Sequence, residues 1–129
     1  MKVSEPGYTV ESDRSIDDVS AFLEKIAPEH NFRILAVHDV KETLAEKGFE
    51  INPLKIYEVC NAGFAYKALS KDINVAMFMP CRIILRQEKG KTVITLARPS
   101  MISQMLPDSG LDDLAGEVEI QLKELIDKI

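Results

Sequence analysis

The chain has 129 residues, of which 46% are hydrophobic and 29% charged, and its formal net charge is -5. This length and composition are typical of globular proteins, so residues 1–129 are predicted to form a single domain. The acidic balance and the lack of a basic block disfavour nucleic acid as a partner, because phosphate binding needs clustered Lys and Arg. No apolar run approaches the roughly 18 residues of a membrane helix, and the first residues do not form a secretory signal. We therefore expect no membrane partner and a cytoplasmic location.

The first part of the chain predicts a strand followed by an amphipathic helix. Tyr8–Glu11 is short and rich in residues that favour strands. Ser15 and Asp18 have the spacing of a capping box and so mark the start of a helix. The apolar stripe of this helix consists of Ile16, Val19, Phe22, Leu23 and Ile26. Pro28 and Asn31 are expected to close it.

Two further strands are predicted before residue 61. Phe32–Val40 alternates in polarity, and strict alternation places one set of side chains on a common face: Phe32, Ile34, Ala36 and His38. A short helix around Leu44 should stop at Gly48, which suits a left-handed cap. After a turn at Asn52-Pro53, Leu54–Cys60 forms a strand with a second shared face, made of Leu54, Ile56, Glu58 and Cys60.

The second half of the chain predicts a β-hairpin and a long C-terminal helix. Asn61 caps a helix predicted over Ala62–Leu69, and an extended segment follows over Val75–Met79. Two strands, Cys81–Gln87 and Thr92–Ala97, are joined by a turn at Gly90. A loop over Pro99–Gly110 then contains one helical turn at Ile102–Leu106. The last helix carries an apolar stripe of Leu111, Leu114, Ala115, Val118, Leu122, Leu125, Ile126 and Ile129. This order of elements predicts an α+β fold with a largely antiparallel sheet and helices packed on one face.

Four residues that can carry chemistry share the parity of apolar residues in their strands. They are His38, Glu58, Cys60 and Cys81. If they converge, they form one site that can bind a small ligand. The alternatives are that the two cysteines are small buried hydrophobic residues, that Glu58 is partly solvated, and that His38 is a hydrogen-bonded structural histidine.

Cys60 is the candidate for a reactive thiol. It is predicted to lie where a strand meets the helix capped by Asn61, and a helix N-terminus favours the thiolate. Glu58 opposes this effect through its negative charge. Since a carboxylate on an apolar face needs a donor or a cation, His38 or Arg82 is the expected partner of Glu58.

Three soft sulfur atoms occur in the segment Met77-Phe78-Met79-Pro80-Cys81. Met77, Met79 and Cys81 would lie on one side of an extended chain, and such ligands suit Cu(I) or a haem iron. Methionine is also an ordinary core filler, and neither cysteine has the spacing of a structural zinc site. We therefore assign no metal and no cofactor from the sequence.

Three segments resemble a known family: Val37-His38-Asp39-Val40, Glu58-Val59-Cys60-Asn61 and Met77-Phe78-Met79-Pro80-Cys81-Arg82. Their order and spacing, over about Tyr8 to Pro99, resemble the domain of unknown function family 302, which consists of small, mostly prokaryotic proteins. The family pattern usually continues Cys-Asn-Pro, whereas Ala62 follows Asn61 here. The resemblance implies a compact fold similar to the TATA-binding-protein-like architecture, commonly a homodimer, and no established activity.

These observations leave three functional hypotheses. The first is a homodimeric module that binds a small ligand or cofactor, with His38, Glu58, Cys60, Asn61, Cys81 and Arg82 as candidate ligand-binding residues. The second is a purely structural dimer. The third is a thiol-dependent enzyme or redox sensor that uses Cys60, although no recognisable pair of nucleophile and base accompanies it. The long apolar stripe of the last helix is the sequence feature that favours a dimer, because a small sheet would leave part of it uncovered.

Overall fold

A computed structural model describes residues 5–129 and shows five strands and five α-helices in this part of the chain. The strands are β1 (Gly7–Ser12), β2 (Arg33–Asp39), β3 (Leu54–Cys60), β4 (Cys81–Glu88) and β5 (Lys91–Ala97). The helices are α1 (Ile16–Glu29), α2 (Val40–Ala45), α3 (Ala62–Lys71), α4 (Ser100–Met105) and α5 (Asp112–Asp127), with a 3₁₀ helix at Ile73–Phe78.

The strands form one antiparallel sheet in the order β1-β5-β4-β3-β2. The predicted β-hairpin is the pairing of β4 with β5, and the first strand of the chain is added beside β5. Strands β1 and β2 are the two edges of the sheet. The predicted α+β class with an antiparallel sheet is confirmed.

Helices α1 and α5 pack against one face of the sheet, which we call the inner face. Its fully buried strand residues are Tyr57, Val59, Ile83, Leu85, Ile94 and Leu96. The stripe of α1 joins them through Val19, Leu23 and Ile26. Alternation puts Glu58 and Arg82, which are opposite each other in β3 and β4, on the other side of the sheet, which we call the outer face.

The apolar stripe of α5 is covered within the single chain. Leu122, Leu125 and Ile126 are fully buried, and Leu111 is almost so. The large hydrophobic residue that this helix exposes is Ile120, which lies off the stripe. The stripe therefore gives no reason to expect a dimer, contrary to the sequence argument.

Several local signals act as predicted. The Ser15 hydroxyl accepts a hydrogen bond from the Asp18 backbone N–H at 3.1 Å and so begins α1. Gly48 and Gly90 have φ values of 82° and 78°, which glycine adopts without a side-chain clash. The turns at these two positions are therefore encoded locally.

Three boundaries differ from the sequence prediction. Pro28 lies inside α1, which ends one residue later at Glu29, and Asn31 follows with a φ of 65°. The segment predicted as extended over Val75–Met79 instead belongs largely to the 3₁₀ helix. That helix begins where the Asp72 carboxylate accepts a hydrogen bond from the Asn74 N–H at 2.9 Å. The predicted loop after Pro99 contains α4, which is longer than the expected single turn.

Candidate functional site

The six candidate residues lie in two places, on different sides of the sheet. His38, Glu58 and Arg82 meet on the outer face. Cys60, Asn61 and Cys81 border a cavity on the helical side, and we call it the inner cavity. The expected convergence of His38 and Glu58 with the two cysteines is therefore wrong.

On the outer face, Glu58 is the centre of a small charged cluster. Its Oε1 lies 3.0 Å from His38 Nε2, and its Oε2 lies 3.8 Å from an Arg82 guanidinium nitrogen. Arg82 is directly opposite Glu58 in the register of β3 and β4. The carboxylate side chain is 20% exposed, so it is partly solvated as well as paired. Both sequence-predicted partners of Glu58 are confirmed, and the cluster is open to water.

A bulge in β2 explains why simple alternation misplaced His38. Ile34 is opposite Val59 and Ala36 is opposite Glu58, so Leu35 is an extra residue with no partner in β3. Before the bulge, Ile34 packs against the core; after it, Ala36 and His38 lie on the outer face. Because of this one extra residue, the side chains after Leu35 point to the face opposite to the one that strict alternation predicts.

On strand β3, the prediction that Glu58 faces the core was wrong for a different reason. This strand carries apolar residues on both faces, with Ile56 outward and Tyr57 and Val59 inward. Sharing the parity of Ile56 therefore does not place Glu58 in the core. On β4, by contrast, Ile83 is buried, and Cys81 faces inward with it, opposite Val59.

The inner cavity lies between α3, α5 and the ends of β3 and β4. Its volume is about 70 Å³. Its wall is almost wholly apolar and consists of Phe32, Val59, Cys60, Asn61, Phe64, Ala65, Ala68, Val75, Met79, Pro80, Cys81, Pro99, Ile102, Leu111, Leu114, Ala115 and Val118. Three of these residues are alanines on the facing helices, where larger side chains would fill the space. The cavity is therefore built from small residues at the positions that border it.

Both thiols of the chain border this cavity, and both are free. Cys60 is the last residue of β3, where the chain turns into α3. Burial raises the pKa of the Cys81 thiol to about 11, and the neighbouring Cys60 adds to this rise, while Arg82 opposes it. Cys81 is thus a neutral thiol at physiological pH.

Asn61 has a structural role that uses both ends of its amide. The side-chain oxygen accepts a hydrogen bond from the Phe64 N–H at 3.1 Å, which caps α3 as predicted. The side-chain nitrogen donates to the Asn31 carbonyl at 3.1 Å. Asn61 therefore ties the start of α3 to the turn before β2, even with alanine instead of proline at position 62.

Comparison with known proteins connects this architecture to a family. The family model described as "Domain of unknown function DUF302" matches residues 8–129. The chain belongs to the DUF302 family. A crystal structure of an uncharacterized conserved DUF302 protein from Bacillus stearothermophilus is similar, with a TM-score of 0.92 and 31% sequence identity. The similarity covers 96% of this chain and 98% of that one. No curated protein matches the chain.

The alternation of Met77, Met79 and Cys81 predicted that their sulfur atoms lie on one side of an extended segment. In this DUF302 chain they do not. The 3₁₀ helix separates them: Met79 borders the inner cavity, whereas Met77 is exposed and borders a neighbouring groove. Within residues 5–129, no group of three or more His, Cys, Asp or Glu residues is arranged to hold a metal ion. The helices in the same range include none long and apolar enough to cross a membrane.

A buried charged cluster near the cavity was not predicted from the sequence. Glu119 of α5 is 7% exposed, and its Oε1 accepts hydrogen bonds from the Ser100 N–H at 3.1 Å and the Ser100 hydroxyl at 2.6 Å. Its Oε2 lies 3.2 Å from both Arg98 and Lys123. Burial by itself raises the pKa of Glu119, but the hydrogen bonds from Ser100, Arg98 and Lys123 outweigh it and lower the pKa to about 2. The cluster fixes α4 against α5.

A sequence signal for this cluster did exist. Glu119 is four residues after Ala115 and three before Leu122, so it occupies a position within the apolar stripe of α5. A charged residue at such a position needs a partner. Arg98, directly after β5, is that partner.

Proposed function

We propose that this DUF302 chain is a small-ligand-binding module and that its ligand occupies the inner cavity. The observation that carries the proposal is the apolar, unfilled space of about 70 Å³ beside an otherwise densely packed core. The wall of this space is apolar, so without a ligand it exposes hydrophobic side chains to water. A bound apolar group removes that surface from water.

The alanine walls support the same conclusion. Ala65 and Ala68 of α3 and Ala115 of α5 all border the cavity. A leucine at one of these positions would fill space that the present side chains leave open. The arrangement favours a ligand with a compact apolar group over a polar or highly charged one.

A cavity-filling variant tests this proposal. We expect benzene to raise the melting temperature of the wild-type protein, and Ala68→Leu to abolish that response. Ala62→Leu is the matched control, because Ala62 lies on the same helix, is exposed and does not border the cavity. Amide NMR shifts on addition of benzene locate the binding. A wild-type protein that responds neither to benzene nor to xenon, or an Ala68→Leu variant that responds like the wild type, would contradict the proposal.

Association into a homodimer is the second part of the proposal. Exposed large apolar side chains outside the cavity and its neighbouring groove lie on α3 and the 3₁₀ helix that follows it: Tyr66 and Ile73. A second copy placed on this side would remove these side chains from water, which is the usual basis of a stable interface.

Sedimentation equilibrium tests the dimer. The wild-type chain is expected to sediment at twice its 14.5 kDa mass at micromolar concentration. Ile73→Glu should shift it to the monomer, because a charge at the interface is costly to bury. Ile120→Glu is the control, since Ile120 is also exposed but lies on α5. A wild-type monomer at all concentrations would leave the ligand-binding proposal standing and remove the dimer.

A further inference from the structure

A groove next to the inner cavity extends the space that a ligand can occupy. It has a volume of about 240 Å³ and shares Pro80, Cys81, Pro99 and Ile102 with the wall of the inner cavity. The two concavities therefore adjoin at these four residues. Their combined volume lies at the lower end of the roughly 300–1,000 Å³ that is usual for ligand sites.

The rest of the groove wall is apolar except for two arginines. Its apolar residues outside the shared set are Pro6, Met77, Phe78, Ala97, Met101 and Met105. Methionine side chains adapt to flexible apolar chains because they are unbranched and polarizable. The groove suits an acyl chain better than a rigid polar molecule.

The two arginines differ in how many of their N–H donors are already used. Arg98 donates to Glu119, to the Ser100 hydroxyl and to the Glu5 carbonyl, so its guanidinium is committed to the cluster around Glu119. Arg82 has an ion pair with Glu58 at 3.8 Å, and its side chain is 45% exposed. Because a guanidinium has five N–H donors, Arg82 can bind an anion while it remains near Glu58.

Glu58 is the carboxylate beside Arg82, and its negative charge opposes a second anion at the guanidinium. Its oxygen nearer to Arg82 is 3.8 Å away, beyond hydrogen-bond distance, and its other oxygen lies 3.0 Å from His38 Nε2. The N–H donors of Arg82 therefore stay open to the ligand. Arg82 stands where the apolar groove meets the outer face, with its neighbour Cys81 in the wall that the groove and cavity share.

We propose that the ligand is an amphipathic monocarboxylate, with an acyl chain in the groove and inner cavity and a carboxylate on Arg82. This inference rests on the proposed ligand-binding function and names its chemical class. The apolar walls contact the acyl chain of the ligand, and the Arg82 guanidinium binds its carboxylate. A neutral apolar molecule of the same length contacts only the apolar walls.

Octanoate and 1-octanol test the two parts separately by isothermal titration calorimetry. Octanoate is expected to bind the wild-type protein about tenfold more tightly than 1-octanol, since a charge-assisted hydrogen bond to Arg82 contributes on that scale. Arg82→Gln should remove this advantage and leave the affinity for 1-octanol unchanged. Ala68→Leu should weaken the binding of both.

Arg86→Gln is the matched control for the charged end. Arg86 lies on the same strand and the same face, its side chain is 46% exposed, and it pairs with Glu88 without bordering the groove. It should bind octanoate as the wild type does. Equal loss in both arginine variants would show a general charge effect and overturn the assignment to Arg82.

The remaining outcomes separate this inference from the proposed function. Equal affinity of the wild type for octanoate and 1-octanol would overturn the carboxylate site and leave the apolar site intact. Binding of benzene without binding of either eight-carbon probe would overturn the extension into the groove and keep the inner cavity. If none of the three probes binds, the proposed function fails and this inference fails with it.

Discussion

The buried Glu119 cluster makes a quantitative prediction about stability. Replacing Glu119 by Gln keeps the size of the side chain and removes the charge that Arg98 and Lys123 face. The Gln amide would also direct N–H donors towards these cations. We therefore expect Glu119→Gln to be strongly destabilising, because the variant leaves a charged partner without its counter-ion.

The magnitude follows from the pKa of Glu119. This pKa falls from the ordinary glutamate value of 4.5 to about 2 in the folded chain. At 1.36 kcal/mol per pKa unit, this difference corresponds to about 3 kcal/mol of stability at neutral pH. For a chain of this length the melting temperature should then fall by about 10 °C.

The sign of the pH dependence is fixed by the direction of the shift. A folded pKa below the unfolded value means that the carboxylate stabilises the fold above about pH 4.5 and that this contribution is lost as the pH falls towards 2. The Gln side chain does not titrate. The difference in unfolding free energy between wild type and Glu119→Gln should therefore be largest at pH 7 and shrink steadily below pH 4.5.

Urea unfolding followed by far-ultraviolet circular dichroism measures this difference, and Glu58→Gln provides the control. Glu58 has the same chemistry, but its partners His38 and Arg82 are half-exposed, so its loss should cost less than about 1 kcal/mol. A cost below about 1 kcal/mol for Glu119→Gln at pH 7 would refute the reasoning. A cost that is the same at pH 7 and pH 2.5 would refute the role of the carboxylate charge.

Three further predictions concern the cavity wall and the turns. In Cys60→Ala, alkylation of Cys81 at pH 8 should still be much slower in the folded protein than in urea, because burial is the main cause of its raised pKa and remains in this variant; equal rates would contradict this. Asn61→Ala should lower the unfolding free energy by about 1 kcal/mol or more, since it removes the cap of α3 and the hydrogen bond to the Asn31 carbonyl, whereas Asn61→Asp keeps the cap and should lose less; an equal or greater loss in Asn61→Asp would argue against capping as the main contribution. Gly90→Ala should cost roughly 1 to 2 kcal/mol in urea unfolding through backbone strain alone, since no atom lies within 4 Å of the added methyl group, and an unchanged stability would argue against the positive φ.

The elements of this fold follow from the sequence because their signals are local. Ser15 and Asn61 cap helices through contacts within three residues, and Gly48 and Gly90 mark turns by their own backbone freedom. The stripe of α5 also predicts its buried side from spacing alone. Such features require no knowledge of which strands are neighbours.

The candidate site was predicted only in part because it depends on pairing between distant segments. The contacts of Glu58 with His38 and Arg82 could be predicted, since a carboxylate on an apolar strand face needs a hydrogen-bond donor or a cation as its partner. The bulge at Leu35 and the mixed polarity of β3 decide which face each residue occupies, and neither is visible in a single strand. The inner cavity is the space left between four elements, so no local pattern indicates it.

The bulge at Leu35 also affects how copies of the chain meet one another. Strand β2 is an edge of the sheet, and a long regular edge is a template for the growth of fibrils. The extra residue interrupts the regular spacing of backbone donors and acceptors along that edge and twists it locally. A second molecule that pairs along this edge therefore meets an irregular ladder at this point. We expect the same residue that turns His38 outward to oppose edge-to-edge aggregation.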